Sequence, residues 1–239
     1  MSYDKILISD LEIMAAARNY RGWMYRRLSP YIGQRVLEIG AGIGNFTNLL
    51  LDRDLVVATD NYPPCIEYLS AHLGDRLKAP PTLLDASGEI GSHLSAYEFD
   101  TIVCLNVLEH IENDVRALSQ MHTLLMPGGR LVLLVPAFQF LYGSVDRSLG
   151  HYRRYTRKDL LPRMRQAGFF IERSFYMNVV GMAGWFWNNR ITGRSEESGK
   201  QIGVFDRYVA PLAEFLPDRH RLIGDRAEAF IPNLDSGLL

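Results

Sequence analysis

The chain has 239 residues, 47% of them apolar, which suits one domain with additions and a sizeable core. Its 26 Lys and Arg against 27 Asp and Glu leave a formal net charge of −1, so no global field draws it to nucleic acid or to an anionic membrane, and no nucleic-acid partner is expected. Cys65 and Cys104 are its only cysteines and lie far apart; with no signal-peptide core and no membrane-length apolar run, a cytoplasmic location is expected and a cysteine metal site is not.

Asp10 has the character of an N-cap, and Leu11, Met14, Ala15 and Arg18 begin a helical stripe that runs irregularly to Leu28 and stops at Pro30. Val36 to Ile39 reads as a short buried strand, followed at once by Gly40, Gly42 and Gly44 and then by an apolar segment of helical spacing. The predicted unit is strand, tight turn and helix. Glycines at positive φ let the backbone come within contact of a ligand, and the helix would turn its free N–H groups and positive dipole end to the same spot. The register is Glu-x-Gly-x-Gly-x-Gly from Glu38, and Asn45 stands where a dinucleotide fingerprint wants its third glycine. Glu38 would repel a pyrophosphate, whereas it helps to hold a cationic cofactor. The alternative is a glycine-rich turn with no ligand.

With this register the sequence resembles the class I S-adenosylmethionine (SAM) dependent methyltransferases, whose first motif has this form; the resemblance covers about residues 17–180. It implies a Rossmann-like α/β fold with a mostly parallel seven-stranded sheet, helices on both faces, SAM as cofactor and S-adenosylhomocysteine (SAH) as product. It implies a lid segment at 1–34 and a SAM-binding domain at 35–176 with an acceptor-side insertion at 137–156. Residues 177–239 would complete the same domain as a second lid and tail. Asn19-Tyr20 with Trp23 resembles the Asn-Tyr-x-x-Trp of the family's lid, so Tyr20 is a candidate contact for the methionine end of SAM; a core aromatic is the alternative.

Leu55 to Asp60 is a second buried strand ending in an acid, and a carboxylate there can accept both hydroxyls of a ribose. Asp60, with Asn61 beside it, is therefore a cofactor candidate; capping the helix begun by Pro63 and Pro64 is a role that can coexist. Thr82 to Ser87 reads as a third strand, and the resemblance gives Asp85 the adenine amino group and the backbone at Ala86 the ring edge, against a turn-capping alternative. Phe99 to Leu105 is the fourth strand. Asn106 and Leu108-Glu109-His110 follow where a parallel sheet opens its crevice. No Asn/Asp-Pro-Pro-Tyr/Phe follows that strand, which weighs against adenine, cytosine and glutamine N-methylation. Asn113 begins a helix that Met126-Pro127-Gly128-Gly129 ends, and Arg130 to Val135 is the fifth strand.

Pro136 to Tyr155 leaves the helix–strand rhythm and is the expected acceptor side. Phe138 and Tyr142 are substrate candidates as aromatics at the end of the fifth strand. Thr156 with Asp159 forms a capping arrangement for a helix to about Ala167. His151, Arg153 and Arg154 belong to a His-x-Arg-x-Tyr/Phe-Thr pattern similar to one in many methyltransferases. His151 and His110 are the candidate catalytic bases, and the two arginines are candidate anion clamps; the alternative pairs Arg153 with Asp146 or Glu109. Phe169 to Tyr176 is expected as a sixth strand. The apolar run 179–187, with Trp185 a substrate candidate, would wall the acceptor pocket, with a homodimer face or a peripheral membrane contact as the other uses. A last helix from Phe205 to Leu216 and a weak final strand near Leu222 close the chain.

The expected function is SAM-dependent transfer of a methyl group, by in-line displacement, to an oxygen or nitrogen of an apolar, lipid-linked or glycosylated small molecule. No metal constellation is evident in the sequence. A protein or RNA methyltransferase and a non-catalytic SAM-binding regulator are the competing readings.

Overall fold

The computed structural model describes residues 11–12, 15–177 and, beyond them, 203, 206, 207 and 211. Five strands form one sheet: β1 (Arg35–Ile39), β2 (Leu55–Asp60), β3 (Thr82–Leu83), β4 (Phe99–Leu105) and β5 (Leu125–Leu134). Their order is β3-β2-β1-β4-β5 and every pairing is parallel. The connections reverse direction between β1 and β4, and the ligand crevice of such a sheet opens beyond the strand ends at that reversal.

Alternation along the strands sorts side chains to two faces. Leu37, Val57, Ile102, Cys104, Leu131 and Leu133 face helices α3 (Asp114–Leu124) and α5 (Arg157–Gln166), packing on Leu118, Met121, Leu160 and Met164. Val36, Val56, Val103, Val132 and Leu134 face helix α1 (Arg18–Leu28) and its Tyr20, Trp23, Met24 and Leu28. Helix α2 (Pro63–Leu73) seats Leu69 and Leu73 against Ala41 and Ala58. Each large aliphatic side chain buried this way contributes roughly 1.5–3 kcal/mol, which is why strands covered on both faces are apolar throughout.

Local chemistry sets the ends of these elements. The Asn113 side chain accepts the Arg116 N–H at 3.2 Å and caps α3. Thr156 and Asp159 form the expected capping box on α5, with the Thr156 Oγ donating to the Asp159 carboxylate at 2.5 Å. Asp100 accepts the N–H groups of Gln34 and Arg35, tying the start of β1 to β4.

Several sequence expectations are corrected. No α-helix follows the glycine turn; the chain makes turns and a single 3-10 turn at Thr47–Leu49. Thr47 bends inward to bond Glu38, and the Asn48 side chain bonds the Gly44 carbonyl, local bonds that compete with a helix. The N-terminal stripe breaks at Ala17 before α1 begins, and β3 is two residues long. Of Phe169 to Tyr176, Arg173 alone has bridge character, so five strands stand among the described residues. Trp185, the run 179–187 and the final strand lie outside the described residues, as does most of the last helix. No helix among the described residues is long and apolar enough to cross a membrane.

Candidate active site

The ends of β1, β2 and β4, the turn after β3 and helix α1 enclose a cavity of about 520 Å³. At its floor Glu38 is 3% exposed, and its Oε2 accepts the Thr47 hydroxyl at 2.6 Å. Burial, opposed by that hydroxyl and reinforced by nearby Asp60, pushes the Glu38 carboxyl up to about 7.

Gly40 leaves the strand at φ 76°, and both its N–H and that of Ala41 donate to the Thr59 carbonyl at 2.9 Å. A Cβ on Gly40 would stand 2.1 Å from Val107 Cγ2, so only glycine lets the segment after β4 cross this turn. Gly42 also lines the cavity, whereas Gly44 does not: its face lies against Leu69 and Leu73 of α2. Gly44 is thus a packing glycine, which corrects its expected place at the ligand.

Asp60 accepts the Gly42 N–H through Oδ2 at 2.8 Å and the Tyr62 N–H through Oδ1 at 2.9 Å, so one carboxylate joins the glycine turn to the start of α2. Burial raises its pKa against those backbone bonds. Asn61 lies beside it on the cavity wall. Asp85 takes the Ser87 hydroxyl and N–H on Oδ1, which lowers its pKa, and Asp85 and Ala86 line the adjoining wall. Asn106 adopts φ 53°, and its Oδ1 and Nδ2 are buried with no hydrogen-bond partner among the described residues. Tyr20, Arg21 and Met24 of α1 close the cavity from above, and Arg21 donates to the Asn45 carbonyl at 2.9 Å. Tyr20 is therefore both a core aromatic and a cavity wall.

Glu109, His110, Leu149 and His151 also line the cavity. The two imidazole rings meet edge to face, 4.5 Å apart. His151 is buried, and its Nδ1–H donates to Asp146 Oδ1 at 3.0 Å. Asp146 is fully buried, also accepts Arg154 Nε at 2.7 Å and Nη2 at 3.0 Å, and has its pKa lowered by its bonds to His151 and Arg154 against the cost of burial. Burial, then the neighbouring His151, lowers His110 to about 4, while a hydrogen bond with the Leu149 backbone opposes the shift. Glu109 is pushed up to about 8, chiefly by burial.

The anion clamp expected of the arginines is not formed. Arg154 is committed to Asp146 at the centre of the loop, and Arg153 donates to Asp114 at 2.7 Å and to the Glu112 carbonyl, rather than pairing with Asp146 or Glu109. Neither arginine lines the cavity, and neither do Phe138 and Tyr142. Phe138 stacks on Tyr176, and the Tyr142 hydroxyl donates to the His151 carbonyl at 2.7 Å, bracing the histidine instead of meeting a substrate. Asp146 and Glu109 are the site residues the sequence reading passed over. The available signal was an acid five residues before His151 with an arginine three residues after it.

Glycine turn, strand-end carboxylates and crevice together define a binder of a nucleoside-like cofactor on a Rossmann-like sheet. A methyltransferase domain family matches residues 13–174, and the chain belongs to that family. It is 26% identical over 192 residues to a ubiquinone biosynthesis O-methyltransferase of Xylella fastidiosa, covering 70% of this chain and 72% of that protein. Among solved structures it matches the SAH-bound N-methyltransferase NodS of Bradyrhizobium japonicum at a TM-score of 0.50 and 20% identity, over 65% of this chain and 75% of that one. A SAM-dependent methyltransferase of Clostridium acetobutylicum matches at 0.51 and 13% identity, over 65% and 83%. The chain spans less than half the length of several further solved methyltransferases that it matches. It is a SAM-dependent methyltransferase with a Rossmann-like fold.

Proposed function

We propose that this enzyme methylates a hydroxyl oxygen of an apolar small molecule, a class that includes lipid-linked and glycosylated acceptors. The observation that carries the reading is one cavity whose lining joins the glycine turn and the carboxylates of Glu38, Asp60 and Asp85 to the imidazoles of His110 and His151 beside Glu109. Bound SAM supplies an electrophilic methyl group on a positively charged sulfur.

The residues present suit such a cofactor. The backbone at Gly40 and Gly42 can approach it closely, Asp60 has acceptor capacity left for ribose hydroxyls, and Asp85 with Ala86 suits an adenine edge. Asn106 brings a buried donor and acceptor without other partners among the described residues. Glu38, Asp60 and Asp85 together favour a cationic occupant. Tyr20 and Met24 exclude water from above. On the acceptor side Val107, Ile111 and Leu149 form an apolar wall, and Glu109, His110 and His151 are the polar groups that the acceptor hydroxyl meets. The O-methylating relative favours oxygen over nitrogen.

The test is calorimetric binding of SAM and SAH to wild type and Asp60→Ala, followed by labelled methyl transfer to panels of phenolic, lipid-linked and glycosylated alcohols. Binding lost in the variant, and transfer to an alcohol in the wild type, is the expected result. Transfer confined to amines, proteins or RNA would overturn the acceptor assignment.

A further inference from the structure

Glu109 and His110 sit on the 3-10 turn after β4, and His151 lies on the extended stretch after a short helix, α4 (Ser144–Ser148). One ligand-type atom from each lies within 4.8 Å of the other two. A carboxylate and two imidazoles on one cavity wall form the donor set of open divalent transition-metal sites.

The state of Glu109 adds an independent observation. Its side chain is 1% exposed, it lines the cavity, and its Oε2 has no hydrogen-bond partner among the described residues. A buried carboxylate oxygen without a partner is costly unless a cation or donor takes it. The guanidinium whose charge acts on Glu109, that of Arg154, is directed to Asp146.

His151 also has the outer support that metal ligands carry. The His151 Nδ1–H is held by Asp146, leaving Nε2 as the ligand nitrogen. Ligand atoms around a tetrahedral ion stand roughly 3.4 Å apart. Small side-chain rotations close the remaining distance from the 4.8 Å within which the three ligand atoms already lie.

We propose that Glu109, His110 and His151 bind a divalent transition-metal ion of the zinc, cobalt or manganese kind, which holds the acceptor oxygen for methylation. The acceptor half of this statement rests on the methyltransferase reading of the cavity; the metal half does not. On such an ion an acceptor hydroxyl ionises near neutrality: the O–H electron pair stays on oxygen and the proton passes to water. Two imidazoles favour a transition ion over Mg²⁺, whose ligands are oxygens.

The untagged full chain, stripped with a chelator, is titrated with Co²⁺, Zn²⁺, Mn²⁺ and Mg²⁺. Bound metal is followed by elemental analysis and Co²⁺ by its visible absorption, with SAH binding measured on the same samples. The expected result is one Co²⁺ or Zn²⁺ per chain, bound at least tenfold more weakly by Glu109→Gln and by His110→Ala, with SAH still bound by both variants. Retained SAH binding separates a lost ligand from a lost fold. Wild-type metal affinity in both variants, or no ion bound by wild type that binds SAH, overturns the proposal. An ion bound with the expected variant losses, but no SAH, supports the metal site and overturns the cofactor assignment instead.

Discussion

Asp206 accepts the main-chain N–H of Tyr20 on Oδ1 at 2.8 Å, joining residues 186 positions apart. Its Oδ2 accepts the Asn19 N–H at 3.3 Å, and the Asn19 side chain donates to the Asp206 carbonyl at 3.0 Å. Ala17, which precedes α1, has no side chain able to cap, so the distant Asp206 satisfies the first free N–H groups of that helix. Asp206→Ala should cost about 1 kcal/mol of stability, the usual cost of a lost N-cap. Because Tyr20, Arg21 and Met24 line the cavity, SAH should also bind about fivefold more weakly if the same ~1 kcal/mol is lost from the seating of α1. Thermal melts and calorimetry measure the two effects, and unchanged values in both would show that this cap does not hold α1 in place.

The crossing of Gly40 and Val107 makes a second prediction. Gly40→Ala meets two penalties: a positive φ, about 1–2 kcal/mol, and overpacking against Val107 Cγ2, about 1–3 kcal/mol. Adding Val107→Ala removes the Cγ2 atom but not the φ penalty. The double variant should therefore recover the packing share alone, read as a denaturant midpoint between wild type and Gly40→Ala. Full recovery would mean that the backbone at Gly40 relaxes to negative φ.

What the sequence made legible follows from where the physics is local. β1, β2, β4 and the Leu131–Leu134 end of β5 declare themselves because both faces are buried and their residues are mostly apolar. Asp60 and Asp85 could be picked out because they close predicted strands. The missing helix after Gly44 could not, since it depends on Thr47 turning towards Glu38. The arginines misled for a related reason. Arg153 resembles an anion clamp until the fold brings Asp114, 39 residues away, within 2.7 Å. Glu109 stood in view beside His110, but that its Oε2 has no partner among the described residues is a property of the packed cavity.

Asp146 and Arg154 form a charge pair with both side chains fully buried. Removing one member strands the other charge, so Asp146→Ala should cost about 3–5 kcal/mol. Replacing both, as Asp146→Leu with Arg154→Met, should cost less than Asp146→Ala alone, because no isolated charge remains. Denaturant unfolding of the two variants checks the order of their stabilities. Methyl transfer should be lost in the double variant even if it is stable, since His151 loses the acceptor that fixes its ring. A stable, fully active double variant would show that Asp146 has no positioning role.

The raised pKa of Glu38 gives the apo-protein a pH dependence of definite sign. Its ordinary value is 4.5 and its folded value about 7, so between those pH values the folded state holds a proton that the unfolded state has lost. Stability attributable to this group therefore falls as pH rises from 4.5 to 7 and is level above. The groups facing its carboxylate are the Thr47 hydroxyl, which favours ionisation, and Asp60, which opposes it. Glu38→Gln keeps the shape and removes the titration. The stability of the variant relative to wild type should rise across that window by an amount on the order of a few kcal/mol and stay constant beyond it. Urea unfolding of both chains at pH 5, 6, 7 and 8 measures this difference directly. A cationic ligand favours ionised Glu38, so SAM binding at pH 7 should release a fraction of a proton in wild type and less in Glu38→Gln. Calorimetry in buffers of different ionisation enthalpy reads that release, and equal release by both chains would remove Glu38 from contact with the cofactor's charge.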